Sequence, residues 1–403
     1  MDREYYTISQ DAFFGLITSL SHLIRILGHY IATPTSAAAG LFFYTKKLNI
    51  LSRFIRNIKM VSKSLSPRES GAHIVQHAKH VRVLPEGIEK LSKEILDGLQ
   101  SKRIGVENFS QHELHPNPDD SKPEAYSGAA DWVFVLDTLN FCFWTPNNYT
   151  KYKVDGYTGY FALCAAIKRA IADGLNVTNA KFYSKIDMKT VEHIFRSDDG
   201  ETKIPLIQKR LDCLHEVGNS LLKKYDGRFE NVIKAADKSA VRLLELIVEE
   251  FPCFRDQADF AGKRVSILKR AQILVGDIWS CYRGKGLGFF HDIDQITMFA
   301  DYRIPQVLVH FGSLQYSPEL LEVLKSDTIL ENGDPMEVEI RGASIYIIEQ
   351  VRDEVMKSLK ENHPEISPDV NSVVIDQYLW DYRRQYQADL EHIPFHKVLS
   401  IYY

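Results

Sequence analysis

From Ser66 onward the chain repeats one pattern, apolar residues three and four positions apart with charged or small residues between them, which is the mark of helices that each bury one face. Ser66-Pro-Arg-Glu69 has the form of a capping box with proline at the first helical position, and the helix it opens is expected to run through Gly71–Val81. Ile88, Leu91, Ile95 and Leu99 share a face over Glu86–Leu99. The same periodicity predicts helices over Tyr160–Asp173, Lys189–Arg196, Ile204–Tyr225, Arg228–Glu250, Lys263–Tyr282, Pro305–Leu314, Ser317–Ser326, Glu337–Asn362 and Asn371–Asp389. Pro252, Pro305, Pro318 and Pro394 punctuate the boundaries. Gln111–Ala130 is rich in Pro, Asn, Asp and Ser and reads as a polar loop. The run after it, Trp132-Val-Phe-Val-Leu136, fits a short strand as well as a buried helix, because periodicity alone does not separate them. Strands are few and short, and no repeat or linker follows residue 60. The pattern predicts a mostly α fold, a single helical domain over residues 60–403.

Residues 1–59 follow a different pattern. Their only acids are Asp2, Glu4 and Asp11, whereas Lys46, Lys47, Arg53, Arg56 and Lys59 crowd the far end. Ile26–Thr45 carries no formal charge and is about the length of a bilayer span, but His29 and Pro34 interrupt it. A membrane-associated segment, an organelle-targeting segment and an extension that folds apart from the rest all remain open for this N-terminal stretch.

Composition narrows the functional classes. Hydrophobic residues make up 45% of the chain and charged residues 25%, as in a soluble globular protein. The net charge of −4 lacks the basic footprint of a protein that grips a nucleic acid, so no direct nucleic-acid partner is expected. Five cysteines, with no C-x-x-C pair among them, point to a reducing compartment, taken as the cytoplasm, and to neither a disulfide framework nor a zinc ribbon. The 20 tyrosines and 21 phenylalanines imply a bulky aromatic core, a few of whose members wall a pocket for a flat ring.

Three acids stand where folding alone rarely puts them. Asp301 lies inside Ile296-Thr-Met-Phe-Ala-Asp-Tyr-Arg-Ile-Pro305, and Asp376 and Asp381 lie inside Val373-Val-Ile-Asp-Gln-Tyr-Leu-Trp-Asp-Tyr382. Desolvating a carboxylate costs several kcal/mol or shifts its pKa, so an acid among Met, Phe, Tyr and Trp marks a candidate site. The plainer alternative is that each caps a helix or pairs with Arg303, Arg383 or Arg384. Other motifs carry less. His73, His77 and His80 have metal-like helical spacing but lack a following Glu and a further ligand, and read as a polar helix face. Gly284-Lys-Gly-Leu-Gly288 lacks the ending of a nucleotide-binding loop and reads as a turn or a lid. Lys263, Arg264, Lys269 and Arg270 form either a solvated face or a clamp for one phosphate. His112, in Phe109-Ser-Gln-His-Glu-Leu-His115, becomes interesting only if the fold brings it to Asp301.

Val135-Leu-Asp-Thr-Leu-Asn-Phe-Cys-Phe-Trp144, Thr158-Gly-Tyr-Phe-Ala-Leu-Cys-Ala-Ala166, Met298-Phe-Ala-Asp-Tyr-Arg303 and Leu379-Trp-Asp-Tyr382 resemble the queuosine salvage family, the queuosine 5′-phosphate N-glycosylases. The resemblance runs from about Met60 to Tyr403 and implies a helical fold similar to the helix-hairpin-helix DNA glycosylases. It implies hydrolysis of the bond between ribose 5-phosphate and queuine, a 7-deazaguanine base, with no cofactor and no metal. Queuosine 5′-phosphate is then the small-molecule substrate and queuine the product, recovered for tRNA modification. In this resemblance Asp301 matches the catalytic acid, Phe299 the aromatic beside it, and His112 a base-pocket residue. Asp376 and Asp381 match two carboxylates that read the base. Gln377 stands where the family pattern has Tyr, which leaves its contribution to base binding open. Competing expectations are a DNA glycosylase acting on a flipped base, a non-catalytic queuine carrier, and a metal-dependent hydrolase using the early histidines.

Overall fold

Ser66 caps the first helix as its sequence requires: its hydroxyl accepts from the Glu69 backbone N–H, while the Glu69 carboxylate accepts from the Ser66 backbone. The computed structural model describes residues 64–403 apart from 107–108, 110–111, 119–122, 147–148 and 363–369. The segment Ile26–Thr45 therefore lies outside the described residues. In chain order the elements are α1 Pro67–His77, β1 Val81–Val83, α2 Pro85–Gln100, α3 Pro123–Thr138, β2 Lys153–Val154, β3 Tyr157–Thr158, α4 Gly159–Ala172, α5 Ala180–Tyr183, α6 Met188–Ile194, α7 Ile207–Lys224, α8 Phe229–Ala235 and α9 Ala240–Glu250. After them come β4 Gln257–Phe260, β5 Lys263–Ser266, α10 Lys269–Cys281, α11 Ile304–His310, β6 Leu314–Tyr316, α12 Pro318–Lys325, β7 Ile329–Leu330, α13 Pro335–Asn362, α14 Ser372–Gln385, α15 Gln387–Leu390 and β8 Lys397–Val398. The strands pair only two by two: β1 with β6, β2 with β3 and β4 with β5 antiparallel, β7 with β8 parallel. The domain is mostly α, as its periodicity predicts. Among the described residues no helix is long and apolar enough to cross a membrane.

Two helices organise the core. Every residue of α10 is buried, so it is surrounded by other elements, and such a helix must find partners for its polar side chains inside the protein. The 28-residue α13 is buried along most of its length and packs against α1, α2 and α14. Its Arg341 is fully buried and bonds both oxygens of Asp256, Glu337 and the Ala300 carbonyl. Removing one partner from such a buried network strands an unpaired charge, at a cost of about 3–5 kcal/mol.

Several expected boundaries shift, each for a local reason. The first helix stops at His77 instead of reaching Val81, because Val81–Val83 leaves to pair with Leu314–Tyr316. His80 thus falls off the helix; His73 is buried against the Phe260 carbonyl, and His77 bonds back to the His73 carbonyl. The expected loop Gln111–Ala130 ends early: α3 begins at Pro123, and Trp132–Leu136 is its buried second half, not a strand. Arg228–Glu250 is two helices, broken where Asp237 and Lys238 both take positive φ. Lys263–Tyr282 is not one helix either. Its first four residues form a hairpin with Gln257–Phe260 across Ala261-Gly262, both at positive φ, as a tight two-residue turn demands. Leu314 leaves the helix expected over Pro305–Leu314 to join β6. Gly284–Gly288 is a tight turn after α10 and is not among the residues that line the cavity described below.

Candidate active site

The segment Ile296–Arg303 has no regular structure, so its backbone groups need partners from elsewhere. Three helices supply them with side chains. Gln272 of α10 accepts from the Thr297 N–H at 2.9 Å, Asp376 of α14 accepts from the Phe299 N–H at 2.9 Å, and Arg341 of α13 donates to the Ala300 carbonyl at 3.0 Å. Asp301 follows directly. Its Oδ1 accepts from the backbone N–H groups of Arg303 and Ile304, both at 2.8 Å, and so fixes the turn that leads into α11. Oδ2 has no hydrogen-bond partner among the described residues, and Asp301 lines a cavity of about 410 Å³. One carboxylate oxygen therefore holds the local backbone, and the other is left without a partner among the described residues.

All six residues singled out from the sequence line this cavity: His112, Phe299, Asp301, Asp376, Gln377 and Asp381. Phe299 reaches it because α10 carries a glycine opposite: a Cβ on Gly276 would sit 2.6 Å from Phe299 Cζ. The helix α14 is unbroken, yet Asp376 and Asp381 both face the cavity. Lining positions 376, 377, 380, 381, 383 and 384 cover about 160° of a regular helix, so the cavity wraps around that side. Asp376 lies buried at the bottom of this arc, whereas the Asp381 side chain is 57% exposed at the rim, 3.9 Å from Arg384.

The aromatic wall is held by stacking. The His112 ring lies 3.9 Å from that of Phe161, nearly parallel, and the Arg384 guanidinium sits 4.4 Å from the same ring centroid. His112 Nδ1 accepts from the Leu114 N–H, which leaves Nε2 as the protonated nitrogen of a neutral ring. Burial, reinforced by the Arg384 charge, pushes the His112 pKa down and keeps that ring neutral. Behind it His115 is held at about 4, mainly by burial, and its Nε2 accepts from the Tyr160 hydroxyl.

Sequence reasoning missed a fourth cavity acid. Asp277 of α10 is buried and lines the cavity with Gln377, whose amide donates to the Ser280 hydroxyl at 3.0 Å. Burial raises its carboxyl well above the usual range, and the charges of Asp137 and Asp376 raise it further. Asp376 is likewise raised well, first by burial and then by Asp301. Asp301 is raised less, because Lys269 and two backbone N–H groups favour its charged form. Asp137, just behind the wall and bonded to Asn140, is pushed by burial to about 7.

The basic residues divide differently from expectation. Arg270 is spent on the carbonyls of Asp137, Thr138 and Cys253, and Arg264 pairs with Asp259 on the hairpin. Of the four cations taken as a phosphate clamp, only Lys269 reaches the cavity, where it faces the acids. The cations that gather at one end are Arg303, Arg383 and Lys397: Arg303 and Arg383 share Gln306, and Arg303 and Lys397 both lie on the Phe395 ring. Arg303 makes no ion pair with a carboxylate among the described residues, and Arg383 and Lys397 pair with Glu391 and Asp327. Among the described residues no group of His, Cys, Asp and Glu is placed to hold a metal ion.

The profile of the queuosine salvage protein family matches residues 115–403. A Mus musculus protein named queuosine 5′-phosphate N-glycosylase/hydrolase is 44% identical over 345 residues, covering 84% of this chain and 99% of the mouse protein. Proteins of the same name from Nematostella vectensis and Sphaerobacter thermophilus are 40% and 38% identical, over 355 and 275 residues. They cover 85% and 68% of this chain, and 100% and 81% of their own lengths.

Proposed function

The chain belongs to the queuosine salvage protein family, and on that premise we propose that it hydrolyses the N-glycosidic bond of queuosine 5′-phosphate, releasing queuine and ribose 5-phosphate. The observation that carries the reading is the divided Asp301 carboxyl, one oxygen fixed by two backbone N–H groups and the other left to the cavity. Breaking the bond from C1′ to the base sends its electron pair to the base and leaves positive charge on the ribose. A carboxylate on that face stabilises the charge, or attacks C1′ to form an ester that water then opens. Water supplies the new hydroxyl at C1′, and its proton ends on the base. A 7-deaza base has carbon in place of N7, so protonation there is closed and stabilisation at the sugar carries more of the barrier.

The rest of the cavity divides to match the substrate. Phe299 and the buried carboxyl of Asp376 suit the ring and its guanine-like edge, Gln377 borders the same floor, and the neutral His112 offers an N–H donor. Asp381 at the rim suits the secondary ammonium of queuine's side chain. Arg303, Arg383 and Lys397 form the end that suits the 5′-phosphate. Five buried free thiols accord with a reducing compartment such as the cytoplasm.

The test is mass-spectrometric detection of free queuine after mixing the purified protein with queuosine 5′-phosphate, beside Asp301→Asn. Release by wild type and not by the variant supports both the reaction and the acid. Tight queuine binding without release by either protein sinks the enzymatic reading in favour of a carrier.

A further inference from the structure

Gln306 of α11 is buried but is not among the residues that line the cavity. Its Nε2 donates to the carbonyls of Leu390 and Ile393, at the end of α15 and in the chain that follows it. Carbonyls only accept, so these two partners settle which way the amide faces and turn Oε1 to the opposite side. There Oε1 accepts from Arg303 Nη1 at 3.1 Å and from Arg383 Nε at 2.8 Å, and both arginines do line the cavity. One buried side chain thus ties α11, α14 and the segment between α15 and β8 to the cationic end of the cavity.

Two guanidiniums brought to one oxygen repel each other, and burial strengthens the repulsion. The surroundings do little to cancel it. Arg383 Nη2 meets Glu391 at 2.8 Å, but that carboxylate is 57% exposed, and an ion pair open to water contributes little. Arg303 makes no ion pair with a carboxylate among the described residues and lies against the Tyr302 and Phe395 rings, 5.2 and 4.5 Å from their centroids. A carboxylate at position 306 would neutralise both cations, and it would set an oxygen without a proton against the Leu390 and Ile393 carbonyls. The amide holds both side chains by hydrogen bonds and leaves their charge to the cavity. Guanidiniums fixed side by side with charge available are suited to a phosphate dianion. We propose that Gln306 is a positioning residue that makes the cavity select a phosphorylated substrate: its neutral oxygen orients Arg303 and Arg383 without cancelling either, so that a 5′-phosphate completes them. This rests on the glycosylase reading above for the identity of the substrate.

The experiment compares wild type with Gln306→Glu, which keeps the shape and adds the cancelling charge. Calorimetry gives the affinities for ribose 5-phosphate and for queuine separately, and steady-state kinetics give KM and kcat for queuosine 5′-phosphate. The Kd for ribose 5-phosphate and the KM are expected to rise by about 10–100-fold, the worth of a charge-assisted contact, with much smaller changes in kcat and in the Kd for queuine. Equal losses of ribose 5-phosphate and queuine affinity overturn the proposal and leave Gln306 a structural role; so does an unchanged affinity for ribose 5-phosphate. Should Gln306→Glu fail to fold, Gln306→Met, Arg303→Met and the double variant form a cycle. If Gln306 acts through the arginine, the loss of ribose 5-phosphate affinity in the double variant falls short of the product of the single losses, and losses that multiply in full overturn the proposal. Wild type that binds both ligands but releases no queuine overturns the glycosylase reading instead, and the ribose 5-phosphate affinities still decide the role of Gln306.

Discussion

Replacing Asp301 by Asn is the most informative single perturbation, because the geometry separates its two jobs. Asn keeps an Oδ1 acceptor for the N–H groups of Arg303 and Ile304, so the turn that leads into α11 survives. What disappears, under the proposed assignment, is one negative charge beside the ribose. A unit charge about 4 Å from a developing cation, at the effective dielectric of about 20 that suits partly buried sites, contributes about 4 kcal/mol. At about 1.4 kcal/mol per decade, kcat should fall about 10³-fold. Queuine binding should hardly change, since the proposed base contacts lie on other residues, and the melting temperature should stay level or rise slightly because Asn avoids the cost of desolvating a charge. Single-turnover release of queuine, followed by mass spectrometry with a parallel thermal melt, measures all three. Turnover within about threefold of wild type, or a kcat loss matched by loss of the folded state, would refute the assignment of charge stabilisation to this side chain.

Other consequences follow from the same contacts. Arg303→Met should lower kcat/KM for queuosine 5′-phosphate by about 10–150-fold, the worth of a charge-assisted bond, while sparing queuine affinity; equal losses for phosphate and nucleoside substrates would place the phosphate elsewhere. Gly276→Ala should cost about 1–3 kcal/mol and weaken queuine binding, because the new methyl collides with Phe299; calorimetry showing an unchanged Kd would remove Phe299 from the base site. Asp137 has a folded-state pKa raised to about 7, so the folded state binds the extra proton, and its contribution to stability falls as pH rises from about 4 towards 7. Asp137→Asn should therefore flatten the decline of melting temperature across that window, and an unaltered slope would show that Asp137 does not carry the effect.

What could be read from the chain, and what could not, follows from the range of the forces involved. Helical periodicity is a local property, so α2, α4, α12 and α13 stand within two residues of where their apolar spacing puts them. Breaks that depend on a few dihedral angles were not legible: nothing in Asp237-Lys238 or Ala261-Gly262 is as clear a signal as Asn-Gly, yet both pairs turn the chain. Asp301 and Asp376 stood out because a carboxylate in apolar surroundings is costly wherever it lies. Asp277 carried the same signal, between Val275-Gly276 and Ile278-Trp279, and was passed over among the helical spacing. The basic cluster was out of reach, because Arg303, Arg383 and Lys397 meet only through Gln306 and Phe395, contacts made in three dimensions.

The cavity's walls come from residues as far apart in the chain as Phe109 and Tyr403, with the strand at Lys397 closing the side that Phe395 and Arg303 share. During synthesis, then, no partial chain can present this pocket: α10, the segment at Asp301 and α14 can each form, but the enclosure waits for the last strand to dock. A small molecule that binds here cannot guide early folding; it can only favour the finished state. Occupancy at a hundred times Kd adds about 2.7 kcal/mol to that state, spread over the whole domain. Substrate supply is thereby tied to the lifetime of the protein in the cell, since the fraction of molecules open to proteolysis shrinks as the pocket fills.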